Sequence, residues 1–130
     1  MAGEKASIPC NISTPLSEDQ VSLILWYRVD MPNPIYTLDI RKRTFKDAKH
    51  FPSAEYKDRS YFDINIHPPT LVLQPARVED EADYKCRVDL RRSRTLILHT
   101  RLNIIGNELF FVEIFVLFIV MKFKHHFCFS

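Results

Sequence analysis

Three residues at fixed spacing limit what this 130-residue chain can fold into. Cys10 is followed 16 positions later by Trp26, the only tryptophan, and 76 positions later by Cys86. The approach to Cys86 reads Glu79-Asp80-Glu81-Ala82-Asp83-Tyr84-Lys85-Cys86. Tyr84 stands two residues before the cysteine, so on a strand the two share a face. Its hydroxyl can then reach upstream backbone, which is the tyrosine-corner position. Where two sheets stack about 10 Å apart, one cysteine from each can meet its counterpart across the core. The indole of Trp26 can pack against such a bridge. Closing a loop of that size contributes about 4–5 kcal/mol in the chain-entropy account. That is a large share of the ~5–15 kcal/mol by which a small domain is stable.

The segments around these points read as strands. Ala6–Ile12 alternates apolar and polar, with Ala6, Ile8, Cys10 and Ile12 on one face. Val21–Val29 is centred on Trp26, and Ile35–Ile40 follows the Met31-Pro32-Asn33-Pro34 turn. Tyr61–Ile66 and Thr70–Gln74 are split by His67-Pro68-Pro69. Asp83–Leu90 and Thr95–Ile105 are separated by Arg91-Arg92-Ser93-Arg94. Short strands with Pro-rich or polar turns predict an all-β sandwich of two antiparallel sheets.

Several chemistries are excluded. Glycine occurs only at Gly3 and Gly106, which leaves no phosphate-cradling loop and no dinucleotide fingerprint. The three cysteines form no CxxC pair, so no Cys-based zinc site is expected. His50, His67, His99, His125 and His126 lie in no HExxH motif, and no Ser or Cys sits in an elbow motif. No cofactor, no metal and no enzymatic activity are expected. A net charge of +2 with no interleaved aromatic platform gives no case for nucleic acid.

The composition shifts at Ile105/Gly106. Residues 1–105 hold 16 of the 18 Lys and Arg, whereas residues 106–130 hold seven of the ten Phe. Leu109–Met121 is apolar except for Glu113. As a helix its 13 residues would reach about 20 Å, short of the ~30 Å hydrocarbon core. The expected organisation is therefore a domain over 1–105 and a Phe-rich tail over 106–130. The tail is read either as a short membrane segment or as a gene-model artefact, and Cys128 is then an odd thiol.

The Cys10, Trp26 and DxAxYxC set resembles an immunoglobulin domain of the variable type. The resemblance implies a Cys10–Cys86 disulfide between the sheets, with Trp26 and Tyr84 in the core. It also implies an ion pair of Arg59 with Asp80 closing the lower end. The stretches Leu25–Arg28, Pro34–Arg41, Ala48–Phe51, Arg59–Phe62 and Tyr84–Thr95 are similar to the first immunoglobulin domain of the Sidestep family of arthropod neural surface proteins. That similarity covers about residues 3–105. It implies a cell-surface recognition or adhesion domain, as in axon guidance, binding a Beaten path-like immunoglobulin-superfamily partner. The alternative is a secreted, soluble immunoglobulin-type recognition protein, and a third reading is a spacer domain with no ligand of its own. This chain departs from the family pattern in having one domain and an unfamiliar ending.

Alternation also proposes a binding face. With Ile24 and Trp26 inward, Leu23, Leu25 and Tyr27 point outward. Arg87 points outward when Tyr84, Cys86 and Val88 point inward. Leu98, Leu102 and Ile104 read as core, leaving Ile97 and His99 outside. Tyr36 and Leu38 are expected to extend the patch. Aromatic and Arg side chains around an apolar centre suit a protein interface. Two basic clusters, within Arg41–Arg59 and within Arg87–Arg94, read as solvated loop charge or as attraction of an acidic partner or a sulfated glycan. Asn11-Ile12-Ser13 is an N-glycosylation sequon. A disulfide and a sequon suit an oxidising compartment. No signal-like apolar stretch opens the chain, so an extracellular or cell-surface location implies a leader missing from this sequence.

Overall fold

The computed structural model describes residues 4–11, 21–41, 44–92, 94–105 and 109–121, with backbone alone for 105 and 109–121. Nine strands occur among them: β1 (Ala6–Pro9), β2 (Val21–Arg28), β3 (Tyr36–Asp39), β4 (Lys49–Pro52), β5 (Ser60–Asp63), β6 (Thr70–Leu73), β7 (Ala82–Leu90), β8 (Arg94–Ile105) and β9 (Leu109–Met121). They form two antiparallel sheets, β1-β6-β5 and β4-β3-β2-β7-β8-β9.

The inner faces of the two sheets make one core. Ile8, Leu71, Leu73 and Phe62 come from the smaller sheet; Ile24, Trp26, Leu38, Tyr84, Val88, Leu96 and Leu102 come from the larger. Cys10, just beyond β1, is bonded to Cys86 on β7, with Cα atoms 5.9 Å apart. Trp26 lies directly across from Cys86 in the β2–β7 register and meets Phe62 edge-on at 5.8 Å. The indole therefore joins the disulfide to the opposite sheet. Leu98 is buried as expected, whereas Ile104 is only half-buried.

Three elements differ from the sequence expectation. β4 carries no alternating signal, because its four residues sit at a sheet edge where neither face is fully covered. β5 stops at Asp63, whose carboxylate accepts the Asn65 N–H at 3.0 Å in a local turn that competes with strand continuation. Leu109–Met121 is a strand rather than a short helix. It pairs antiparallel with β8 from Arg94↔Met121 to Ile105↔Leu109, with one irregularity. Its β-branched and aromatic residues satisfy their backbone against the open edge of β8. Cys128 and Ile12 lie outside the described residues.

Candidate interaction face

The register of the larger sheet sets which side chains share its outer surface. Leu25 on β2 lies across from Thr37 on β3 and Arg87 on β7, and Arg87 lies across from Ile97 on β8. One row therefore runs Phe51, Thr37, Leu25, Arg87, Ile97. A parallel row runs Lys49, Asp39, Leu23, Asp89, Thr95, and a shorter one Tyr27, Lys85, His99. Leu23, Leu25, Tyr27, Arg87, Ile97 and His99 are half-buried, and Phe51 is exposed. Backbone pairing sets β9 beside β8, in the plane of the sheet, rather than across this outer surface.

The polar groups on this face hold one another in place. Arg87 Nε donates to Asp89 at 2.8 Å, and the Thr95 hydroxyl donates to the same carboxylate oxygen at 3.1 Å. Lys85 Nζ stands 4.7 Å from the Tyr27 ring centroid, a cation–π contact. Burial pushes the His99 imidazole below the usual range, and the neighbouring Lys85 charge adds to this. Leu25 and Ile97 are thus apolar members of their row, with Arg87 between them and Tyr27 and Lys85 in the row alongside.

Tyr36 and Leu38 do not extend the patch. Tyr36 lies across from Trp26 and Leu38 across from Ile24, so both follow the inward phase of β2. Tyr36 is 2% exposed, packs edge-on against Phe62 at 6.1 Å, and its hydroxyl lies 2.6 Å from His50 Nδ1. Burial raises the Tyr36 hydroxyl and lowers the His50 imidazole. The outward residues of β3 are Thr37 and Asp39. The sequence reasoning missed Thr37 and Phe51. Thr37 followed from the strand phase once the register was known, whereas Phe51 had no signal on its short edge strand.

The remaining residues singled out in the sequence have structural surroundings. Tyr84 is buried, and its hydroxyl donates to the Asp80 carbonyl at 2.5 Å. Burial drives that phenol well above the usual tyrosine range. Arg59 Nη1 and Nη2 donate to the two oxygens of Asp80 at 2.8 and 2.7 Å. Asn11 is exposed next to the buried Cys10. Among the described residues no group of His, Cys, Asp and Glu is arranged to hold a metal. No helix among them is long and apolar enough to cross a membrane.

Residues 1–105 match the family of immunoglobulin V-set domains. The chain belongs to the V-set family. No curated protein matches it closely enough to serve as a named relative. V-set domains are commonly recognition or adhesion modules rather than enzymes. They are typically extracellular or at the cell surface, and often bind other immunoglobulin-superfamily proteins. In this V-set domain the disulfide and its tryptophan are core features, while the outer rows of the larger sheet mix apolar side chains with charged ones.

Proposed function

We propose that this V-set domain is a cell-surface recognition module that binds a second immunoglobulin-superfamily domain through the outer face of its larger sheet. The observation that supports this most is the row Leu25, Arg87, Ile97 with Leu23 and Tyr27 alongside. It sets Leu25 and Ile97 on either side of Arg87, with Leu23 and Tyr27 alongside, on central strands whose side-chain positions are fixed on both sides. A spacer domain has no use for such a row. The finer reading follows the Sidestep resemblance: an adhesion or axon-guidance cue whose partner is Beaten path-like.

The test is binding of the full chain to a panel of immunoglobulin-superfamily ectodomains that includes Beaten path-type receptors. Leu25→Asp puts a charge at the centre, which a docked partner would desolvate without pairing. The expected result is a partner bound by the wild type, with affinity down more than about tenfold in Leu25→Asp and an unchanged unfolding midpoint. At least 1.4 kcal/mol is then lost at that one position. Ser7→Lys, exposed on the smaller sheet, should bind as the wild type does. A folded Leu25→Asp protein with undiminished binding would move the site off this face.

A further inference from the structure

Two cations on the outer face of the larger sheet converge on one aromatic ring. Lys85 and Arg87 alternate on β7 with the buried Tyr84, Cys86 and Val88. They therefore stand on one face, about 6.5 Å apart along the strand. Tyr27 on β2 lies directly across from Lys85. Lys85 Nζ is 4.7 Å from the Tyr27 ring centroid, and the Arg87 guanidinium neighbours the Tyr27 hydroxyl. All three side chains are half-buried. The acids of this face are held elsewhere. Asp89 accepts from Arg87 Nε and from the Thr95 hydroxyl, Asp83 pairs with Arg101 at 3.4 Å, and Asp39 pairs with Arg41 at 3.0 Å. Among the described residues no carboxylate lies within ion-pair distance of Lys85. Its neighbour on the other side is His99 on β8, held towards the neutral form by burial and by Lys85 itself.

We infer that Lys85 and Arg87 form a seat beside the Tyr27 ring for an Asp or Glu carboxylate presented by the partner domain. The inference rests on the reading of this face as the binding face. On a free surface the Lys85 ammonium keeps its water. A docked domain removes that water, and a desolvated cation left without an anion opposes binding strongly. The Tyr27 ring compensates in part through its negative π face. An acid on the partner compensates for the rest. Arg87 enlarges the seat: Asp89 holds it through Nε, and its planar fork carries further donors on the terminal nitrogens. Leu25 and Ile97 lie on either side of Arg87, so the matching surface sets its acid next to apolar side chains. A second copy of this chain does not match. It would bring its own Lys85 and Arg87 to the contact, and Asp39, Asp83 and Asp89 of its face are each paired with an arginine.

The test is binding of the full chain to the same panel of immunoglobulin-superfamily ectodomains, with Lys85 variants beside Leu25→Asp. The expected result is a panel member whose affinity falls at least fivefold in Lys85→Gln and at least fiftyfold in Lys85→Glu. Lys85→Arg, which keeps the charge, should lose less than Lys85→Gln. Lys57→Glu reverses an exposed charge off this sheet and should change affinity less than twofold. The association rate should fall with salt in the wild type and fall less in Lys85→Gln. On the bound ectodomain, one Asp or Glu reversed to Lys should weaken wild-type binding and recover at least tenfold with Lys85→Glu. Thermal melts check that each variant folds. If Leu25→Asp abolishes binding while Lys85→Glu binds as the wild type does, the face stands and the carboxylate seat is overturned. If Leu25→Asp binds undiminished, or the wild type binds no ectodomain, the face fails and the seat with it. Equal losses in Lys57→Glu and Lys85→Glu would reduce the effect to overall charge and overturn the seat. Loss of binding on enzymatic deglycosylation of the ectodomain would overturn the side-chain carboxylate in favour of a sugar acid. Self-association of the wild type that Lys85→Glu disperses would overturn the separate partner in favour of a second copy.

Discussion

Arg59 grips Asp80 with two parallel hydrogen bonds, and the Asp80 carboxylate is completely buried. The same carboxylate accepts the backbone N–H of Arg77 at 2.8 Å, while the Asp80 carbonyl accepts the hydroxyl of Tyr84. The pair thus fastens the Val78–Asp80 turn to the start of β5 and to the strand that carries Cys86. Removing the cation strands a buried anion. Arg59→Ala should cost about 3–5 kcal/mol, the range for breaking a buried pair from one side. Tyr84→Phe removes one neutral hydrogen bond and should cost about 0.5–1.5 kcal/mol. Urea unfolding of the two variants checks the order. A smaller loss in Arg59→Ala than in Tyr84→Phe would mean that the pair is not the fastening.

The disulfide should matter on a similar scale. Cys10 and Cys86 join the sheets at the point where Trp26 and Phe62 meet. Replacing both cysteines by alanine should destabilise the domain by about 2–5 kcal/mol. Trp26 fluorescence is the natural probe, since the indole sits across from the bond. The expected outcome is a lower denaturant midpoint with a native-like spectrum before the transition.

Stability should also fall in mild acid. Burial lowers the imidazoles of both His50 and His99 in the folded chain, and Lys85 lowers His99 further. The unfolded chain titrates near pH 6.5. Between that value and the lower folded values the unfolded state binds more protons, so stability rises with pH in this window. It is complete above pH 6.5 and is lost as pH falls below it. Protonated His50 carries a hydrogen on Nδ1, so the Tyr36 hydroxyl 2.6 Å away must then accept. Thermal melts from pH 7.5 to 5.5 should show a declining midpoint. His50→Gln should flatten part of that decline, and an unchanged slope would assign the effect to other groups.

The core was far easier to read in advance than the surface. Cys10, Trp26, Tyr84 and Cys86 are where the resemblance to a variable-type immunoglobulin domain, carried by their spacing, implied that they would be. The outward row on β2 followed from Trp26, because a strand's alternation carries one known inward residue along its length. Tyr36 shows a reading that the same logic corrects. Its strand alternates Tyr36 and Leu38 with Thr37 and Asp39, so the apolar phase faces in, as the pairing with Trp26 shows. β9 shows a limit. An apolar run of 13 residues has no period that separates strand from helix. The contact of Arg91 with the Ile40 carbonyl was likewise invisible, since 51 residues separate them and only the packing of the strands brings them together.

Asn11 gives a prediction that bears on which face is free. The Cys10 N–H donates to the Pro69 carbonyl at 2.8 Å, continuing the β1–β6 pairing one residue past β1. Asn11 comes next, exposed, beside the smaller sheet rather than the larger. Secretion from eukaryotic cells should therefore attach a glycan there, because Asn11 is exposed. A heavier species that collapses on enzymatic deglycosylation, and that disappears in both Asn11→Gln and Ser13→Ala, is the expected result. A bulky glycan at this point would obstruct the smaller sheet and leave the Leu25 row open. Asn11→Gln should then alter partner binding by less than about twofold, against the loss expected for Leu25→Asp. A strong gain in binding on losing the glycan would place the partner on the smaller sheet.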